Sequence, residues 1–255
     1  MIKKVVYNGY DQIHDHEMKS TDEINQAVLE LWRITASDKR GDLLPLLLSP
    51  IEKGALLFVG FNPSFTANKE SNDPEVNKKY LDSQETYQYR EIVSQDISTI
   101  LADGKESLEK YPYFKKMHEI TQEIHQAYRH IPSKLQHLDL FFIRDTNQKK
   151  AEKLLLNEGG NGDRFTPFGR AQFDLFIAAL RLAEPACVVV SNARSSHLLR
   201  AELGLKKVGS PALYYKSDEF EIPFHLGSMI SGQRAMDIFS VDRLKYAIHS
   251  SLGKA

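Results

Sequence analysis

The sequence predicts an α/β fold, a three-layer α/β/α sandwich around a mostly parallel central sheet. Three observations carry this. The apolar runs at 55–61, 138–143 and 186–191 are continuous rather than alternating, as in strands buried on both faces. Segments with helical apolar spacing separate them, which is the alternation of a parallel sheet with crossover helices. The 255 residues suffice for one substantial α/β domain. The organisation expected is therefore a single domain over 1–255, with an N-terminal helical extension at 1–50 and a helical insertion at 66–137.

Taken in order, "DEINQAVLELWRIT" (22–35) has helical spacing, and Ser20 and Glu23 stand where a capping box requires them. "LLPLLLSP" is apolar and broken by proline, so it packs rather than spans. The first strand is 55–61. Helices are expected at roughly 84–102 and 112–130, the second opening at Pro112. "HLDLFFI" (137–143) reads as the second strand. Thr166 reads as an N-cap and Pro167 as the first residue of the helix "PFGRAQFDLFIAALRLA". "ACVVVS" (186–191) is the third strand, followed by a short helix that Gly204 ends. Further strands are expected at 212–216 and 220–225, and a last helix at about 242–252.

Composition narrows the functional classes. Hydrophobic residues make up 42% and charged residues 26%, and the formal net charge is -1, so no global basic field marks the chain; a local basic face stays open. No apolar run is long enough to cross a bilayer, and "MIKKVVYNGYDQ" has no apolar signal core, so no secretion and a cytoplasmic location are expected. The single cysteine, Cys187, lies in an apolar run and reads as a core thiol. It excludes an internal disulfide and any multi-cysteine metal site. His118, His125 and His130 are seven and five residues apart, not the four of a helical metal pair. There is no Walker A loop, no Gly-x-Ser-x-Gly elbow and no Gly-x-Gly-x-x-Gly after a strand. Neither a cofactor nor a metal is expected.

In parallel sheets ligands bind outside the carboxyl ends of the strands. Four such ends are polar. The first is "GFNPS" (60–64), the second "RDTNQKK" (144–150), the third Ser191-Asn192, and the last "FHLGSMISGQR" (224–234). An ordinary strand-ending turn uses the same Gly, Asn and Pro residues, so the first end is informative only beside the others.

"VGFNPS" resembles the first active-site motif of the uracil-DNA glycosylase superfamily, which in its mismatch-specific and single-strand-selective branches reads Gly-x-Asn-Pro and a small residue. "HLGSMISGQRA" resembles a divergent form of the second motif, His-Pro-Ser and a DNA-wedging loop, with Leu226 in place of the proline. The resemblance covers about 50–252. It implies that Asn62 positions the attacking water and that His225 donates to the departing base, these being the catalytic pair. It implies base binding by Gly60, Phe61, a stacking ring, and an asparagine that reads the base edge. Phe65, which leaves the loop, is preferred as the ring over Phe141 and Phe142, which also read as strand core. Asn147 is preferred to Asp145 as the edge reader, because a carboxylate would repel a forming uracil anion. DNA would be the partner, contacted through Ser64, Ser228, Ser231, Gln233 and Arg234, with Met229 or Ile230 as the wedge. The activity implied is hydrolysis of the N-glycosidic bond of uracil or a related damaged base. A same-fold protein that binds nucleic acid or a nucleobase without cleaving it stands beside this as the alternative, on the altered second motif and the near-neutral charge.

Overall fold

The computed structural model describes residues 18–36, 44–62, 94–144, 148–157, 164–209, 213–232 and 235–253. In chain order the elements are α1 (Thr21–Ala36), β1 (Leu44–Pro45), β2 (Leu56–Gly60), α2 (Ser94–Lys110), a 3-10 turn (Pro112–Phe114), α3 (Lys115–Ala127), β3 (Gln136–Asp139), β4 (Ile143–Arg144) and α4 (Gln148–Leu155). There follow α5 (Pro167–Ala183), β5 (Cys187–Val190), α6 (Ala193–Glu202), β6 (Lys206–Val208), β7 (Tyr214–Lys216), β8 (Phe224–Leu226) and α7 (Ile238–Leu252). These residues fall into two compact units. One comprises Met1–Ser49, Asn62–Gly104 and Phe141–Ala179, the other Pro50–Phe61, Lys105–Leu140 and Leu180–Ala255.

In the first unit, α1 begins as its sequence requires. Ser20 Oγ accepts from the Glu23 amide at 3.2 Å, while the Glu23 carboxylate accepts from the Lys19 amide rather than that of Ser20. Ile24, Val28 and Leu31 make the buried stripe of α1. Beside them the buried Asn25 accepts from the Leu48 amide at 2.7 Å and donates to the Leu48 carbonyl at 2.9 Å, which holds the "LLPLLLSP" segment as a side chain in place of a strand partner. Pro45 pairs with Ile143 in a two-stranded antiparallel ladder of β1 and β4. Thr166 caps α5 as expected, accepting from the Gly169 amide at 3.0 Å and donating to the Leu154 carbonyl at 2.7 Å.

The second unit holds a six-stranded sheet in the order β3-β2-β5-β8-β7-β6. The first four strands are mutually parallel, and β7 and β6 run antiparallel to their neighbours. The architecture is therefore α/β with a mixed, mostly parallel sheet, as the continuous apolar runs predicted: every residue of β2 and β5 is buried. Leu56, Phe58, Cys187 and Val189 share one face and pack against Met117, Ile120 and Ile124 of α3 and Leu244 and Ile248 of α7. The two helices run side by side in the same direction. Lys245 Nζ meets Glu123 Oε2 at 2.7 Å midway, and Tyr128, past the end of α3, donates its hydroxyl to the His249 carbonyl near the end of α7.

Four expectations change. The strand expected through residue 143 ends at Asp139. Leu140 still donates to the Gly60 carbonyl at 3.2 Å, but the Phe142 amide goes to Gln172 Oε1 at 2.6 Å, a side chain, and Ile143–Arg144 join a different ladder. Arg144 therefore does not end a strand of the six-stranded sheet, and residues 145–147 lie outside the described set. The helix expected at 84–102 is described at Ser94–Lys110; residues 63–93 lie outside the described set. The edge strand β6 is additional to the expected set, being short and lysine-rich. Finally, α7 starts at Ile238 rather than 242, because Asp237 caps it by accepting from the Ser240 amide at 2.9 Å. Among the described residues no helix is long and apolar enough to cross a membrane.

Replacing Asn25 tests the side-chain bridge to Leu48. Asn25→Ala leaves a buried amide and a buried carbonyl without partners, so the unfolding free energy should fall by about 1–3 kcal/mol in urea titrations. An unchanged midpoint would show that water or a shifted backbone satisfies Leu48.

Candidate functional site

The parallel strands place one end of the sheet as the candidate site. From β2 the chain crosses to β3 on one side, and β5 then adds on the other side, so the strand order reverses between β2 and β5. Ligands of open α/β sheets bind outside the carboxyl ends at such a reversal. Successive strand residues alternate in face and directly paired residues share one. The register therefore puts His137, Phe58, Val189 and His225 in one row on the α3/α7 face. The next row out, at the carboxyl ends, is Asp139, Gly60, Ser191 and Gly227.

This outer row is closely tied. The Ser191 amide donates to the Val59 carbonyl at 2.8 Å and the Gly227 amide to the Val190 carbonyl at 3.0 Å, which continues the ladder past the strand ends. Three hydroxyls add to the carbonyls of this end, two of which already accept from a backbone amide. Ser191 Oγ donates to Val59 O at 3.2 Å, Ser195 Oγ to Gly60 O at 2.9 Å, and Ser196 Oγ to Gly227 O at 2.8 Å. Asn192 caps α6, its Oδ1 accepting from the Arg194 and Ser195 amides.

The chemistry of the row lies with Asp139. Its residue is only 4% exposed, and one carboxylate oxygen lies 3.7 Å from His137 Nδ1. A Cβ on Gly60 would collide with the other oxygen and press on His137 Cε1, so only glycine leaves room for the carboxylate. Burial pushes the His137 pKa down to about 4, so at neutral pH the carboxylate faces a neutral imidazole. His137 Nε2 has no hydrogen-bond partner among the described residues, and the ring stands edge-on to Phe114 at 5.1 Å. Tyr113 lies beside the Ser191 hydroxyl, and its pKa is raised, first by burial and then by the Asp139 carboxylate, with the Ser191 side chain partly offsetting them. The end of the sheet thus offers a carboxyl group, a phenolic hydroxyl and, at pH 7, a neutral imidazole. Among the described residues no group of His, Cys, Asp and Glu side chains is placed to hold a metal ion.

The residues singled out from the sequence are placed as follows. Gly60 ends β2 in this row. Asn62 follows two residues later and is half-buried, while Phe61 between them is buried. His225 is not at a strand end but in the middle of β8, 3% exposed. Its Nε2 is 3.0 Å from Ser251 Oγ. That hydroxyl donates to the Ile248 carbonyl at 2.8 Å, so the one proton of the neutral imidazole goes either to Ser251 or, from the other ring nitrogen, to the Leu213 backbone. Burial holds the His225 pKa at about 4, and a backbone bond with Leu213 opposes this. The proton that donation to a departing base would require is therefore already engaged inside the sheet's packing.

In the loop after β8, Ser228 is exposed and Met229 half-buried, its carbonyl accepting from the Met236 amide at 2.8 Å. Ile230 belongs to the core, which removes it as a wedge, and Ser231 is buried with no partner for its hydroxyl among the described residues, a poor position for a phosphate contact. Phe141 and Phe142 are core residues. Ser64, Phe65, Asn147, Gln233 and Arg234 lie outside the described residues. Sequence reasoning missed Tyr113, His137 and Asp139. The signal for the last two was present: a carboxylate inside the apolar run "HLDLFF", with a histidine two residues before it and hence on the same face.

The chain matches no protein-family model and no curated protein.

Two measurements test this geometry. Gly60→Ala should displace the Asp139 carboxylate and lower stability by about 1–3 kcal/mol, whereas an unchanged urea midpoint would mean that Asp139 moves aside freely. Protons supply the second. His137 and His225 bind them at about pH 4 when folded and near 6.5 when unfolded. Stability should be level above about pH 6.5 and fall as pH drops towards 4, by up to about 3 kcal/mol per histidine. In urea titrations across that range, His225→Gln should remove roughly half of the dependence; equal slopes for variant and wild type would contradict the buried-neutral state of His225.

Proposed function

We propose that the protein is a hydrolase of N-glycosidic bonds in DNA, of the uracil-DNA glycosylase type, built as that family's three-layer α/β/α sandwich. The observation that supports this most is the position of "VGFNPS". Its glycine ends the strand at the reversal point of a parallel sheet, and its asparagine leaves that end. In this reading the target base leaves its stack, because its anomeric carbon is otherwise covered. Asn62 orients the attacking water by accepting from it, and acts by position rather than as a base. The donor for charge developing on the base is Tyr113, whose raised pKa keeps it protonated; His225, engaged with Ser251, acts as a positioning residue. The Asp139 carboxylate favours bases that present an N–H edge and disfavours departure as a bare anion.

The engagement of His225 also supports a second reading, a protein of the same fold that binds nucleic acid or a nucleobase without cleavage.

Single-turnover excision separates the two. Labelled oligonucleotides carrying uracil, hypoxanthine or xanthine are incubated with the protein, and abasic sites are then cleaved with alkali. The expected outcome is excision of at least one base by wild type, with Asn62→Ala slower by on the order of a hundredfold at nearly unchanged DNA binding. Tyr113→Phe should lose about a hundred- to thousandfold, the cost of one donor aimed at developing charge. Binding without excision in wild type would leave the non-cleaving reading, and an unimpaired Asn62→Ala would move the water elsewhere.

A further inference from the structure

We infer that the rim formed by Tyr111, Ile238 and Phe239, with Lys115 and Lys116, is a docking surface for a single strand of nucleic acid. The inference rests on the proposed reading for its choice of partner class, and on the following observations for its location.

Among the described residues the exposed large apolar side chains are Tyr111 at 48%, Ile238 at 69%, Phe239 at 73% and Tyr246 at 67%. Exposed apolar groups of this size stand in water at a cost unless a partner covers them. The first three are not scattered. Because α3 and α7 run in the same direction on one face, their first turns lie at the same end of the sheet. That end is the carboxyl end, since just before α3 Tyr113 lies beside Ser191 and Asp139 of that row and Phe114 stands edge-on to His137 one row behind it. Tyr111 precedes the first turn of α3, and Ile238 and Phe239 open α7. All three therefore stand beside the row that carries Asp139, Gly60 and Ser191.

Charge identifies the occupant. Lys115 and Lys116 are exposed in the first turn of α3, which has no acidic residue. Cations at that end oppose the helix dipole, and no carboxylate among the described residues pairs with either. Neither lysine serves the helix, and both suit an anionic backbone. Asp237, the cap of the other helix, is engaged by the Ser240 amide and hydroxyl. Aromatic side chains beside such cations match a strand whose phosphates meet lysine and whose bases stack on rings. A duplex covers its base faces and offers these rings nothing to stack on, so the strand is single or locally opened. A second copy of this chain is a poorer partner, because a two-fold contact through the same patch would bring the lysine pairs together.

Fluorescence anisotropy with a labelled oligothymidine of about 12 nucleotides, and with its duplex, tests this. Wild type should bind the single strand more tightly. Phe239→Ala and Tyr111→Ala, both at exposed positions, should each weaken it by about 5- to 100-fold. Lys115→Gln with Lys116→Gln should lower the slope of log affinity against log salt by about 1.4. Tyr246→Ala, two turns along α7 from Phe239, should bind as wild type does. Binding that is unchanged in both aromatic variants overturns the inference. So does a wild type that fails to bind the single strand at low salt, or a dimer that Phe239→Ala dissociates. Excision measured on the same samples keeps the two claims apart. Excision with an indifferent rim removes the inference alone, and a rim-dependent strand complex without excision removes the hydrolase reading alone.

Discussion

The parallel pairing of β2 with strands on both of its sides is the constraint on which the rest depends. Leu56–Val59 have no polar side chain, so their amides and carbonyls can be satisfied only by neighbouring strands. Register fixes the rest: once Phe58 pairs with His137 and Val189, Asp139 and Ser191 must flank Gly60. A slip of one residue would turn Asp139 to the opposite face and Leu138 towards α3. The backbone bonds from Leu140 and Ser191 carry this register past the last strand residue, which is where irregular chain would otherwise begin. The site is thus held by the best-buried element of the unit, although its own residues are polar.

Electrostatics follows from the same packing. The row behind the site ends in two histidines, His137 at one side and His225 at the other, and burial keeps both neutral. A protonated imidazole in either place would have to be desolvated, and that cost is the basis of the predicted loss of stability in acid. Among the groups that Asp139 faces are the neutral His137 ring and a Tyr113 hydroxyl whose ionisation it helps to suppress. Such an arrangement suits recognition of a neutral planar group with N–H donors, and not of a phosphate.

Much of the fold was legible in the sequence because it is written in burial. Unbroken apolar runs, here Leu56–Val59 and Cys187–Val190, mark doubly covered strands, and local caps such as Ser20, Thr166 and Gly204 act within a few residues of themselves. The failures came where tertiary partners override local pattern. "HLDLFFI" reads as one strand, yet Gln172, far along the chain, takes the Phe142 amide and ends the ladder early. The start of α7 was hidden because Ile238 and Phe239 are exposed, so they break the helical stripe that periodicity seeks. The candidate site was half legible. Gly60 and Asn62 announced a strand end, but the reason for the glycine is a carboxylate from another strand. His225 looked terminal in the sequence and is interior, because β8 continues to Leu226 and Ser251 reaches it from the last helix.

The separation of polar functions gives the two proposals a common physical basis. A buried carboxylate close to a phosphate would raise the energy of both, so a site centred on Asp139 cannot also be the place that neutralises a nucleic-acid backbone. The compensating cations have to lie outside it, within reach but in water, where desolvation costs them little. Lys115 and Lys116 satisfy that condition at the start of α3, one turn from Tyr113. Under the two proposals the base and its backbone would be recognised by different layers of the same helix end, the buried layer selecting by hydrogen-bond pattern and the exposed layer holding by charge and stacking. The near-neutral net charge of the chain is then no objection to a nucleic-acid partner, because the contact needs a few placed cations and not a global field.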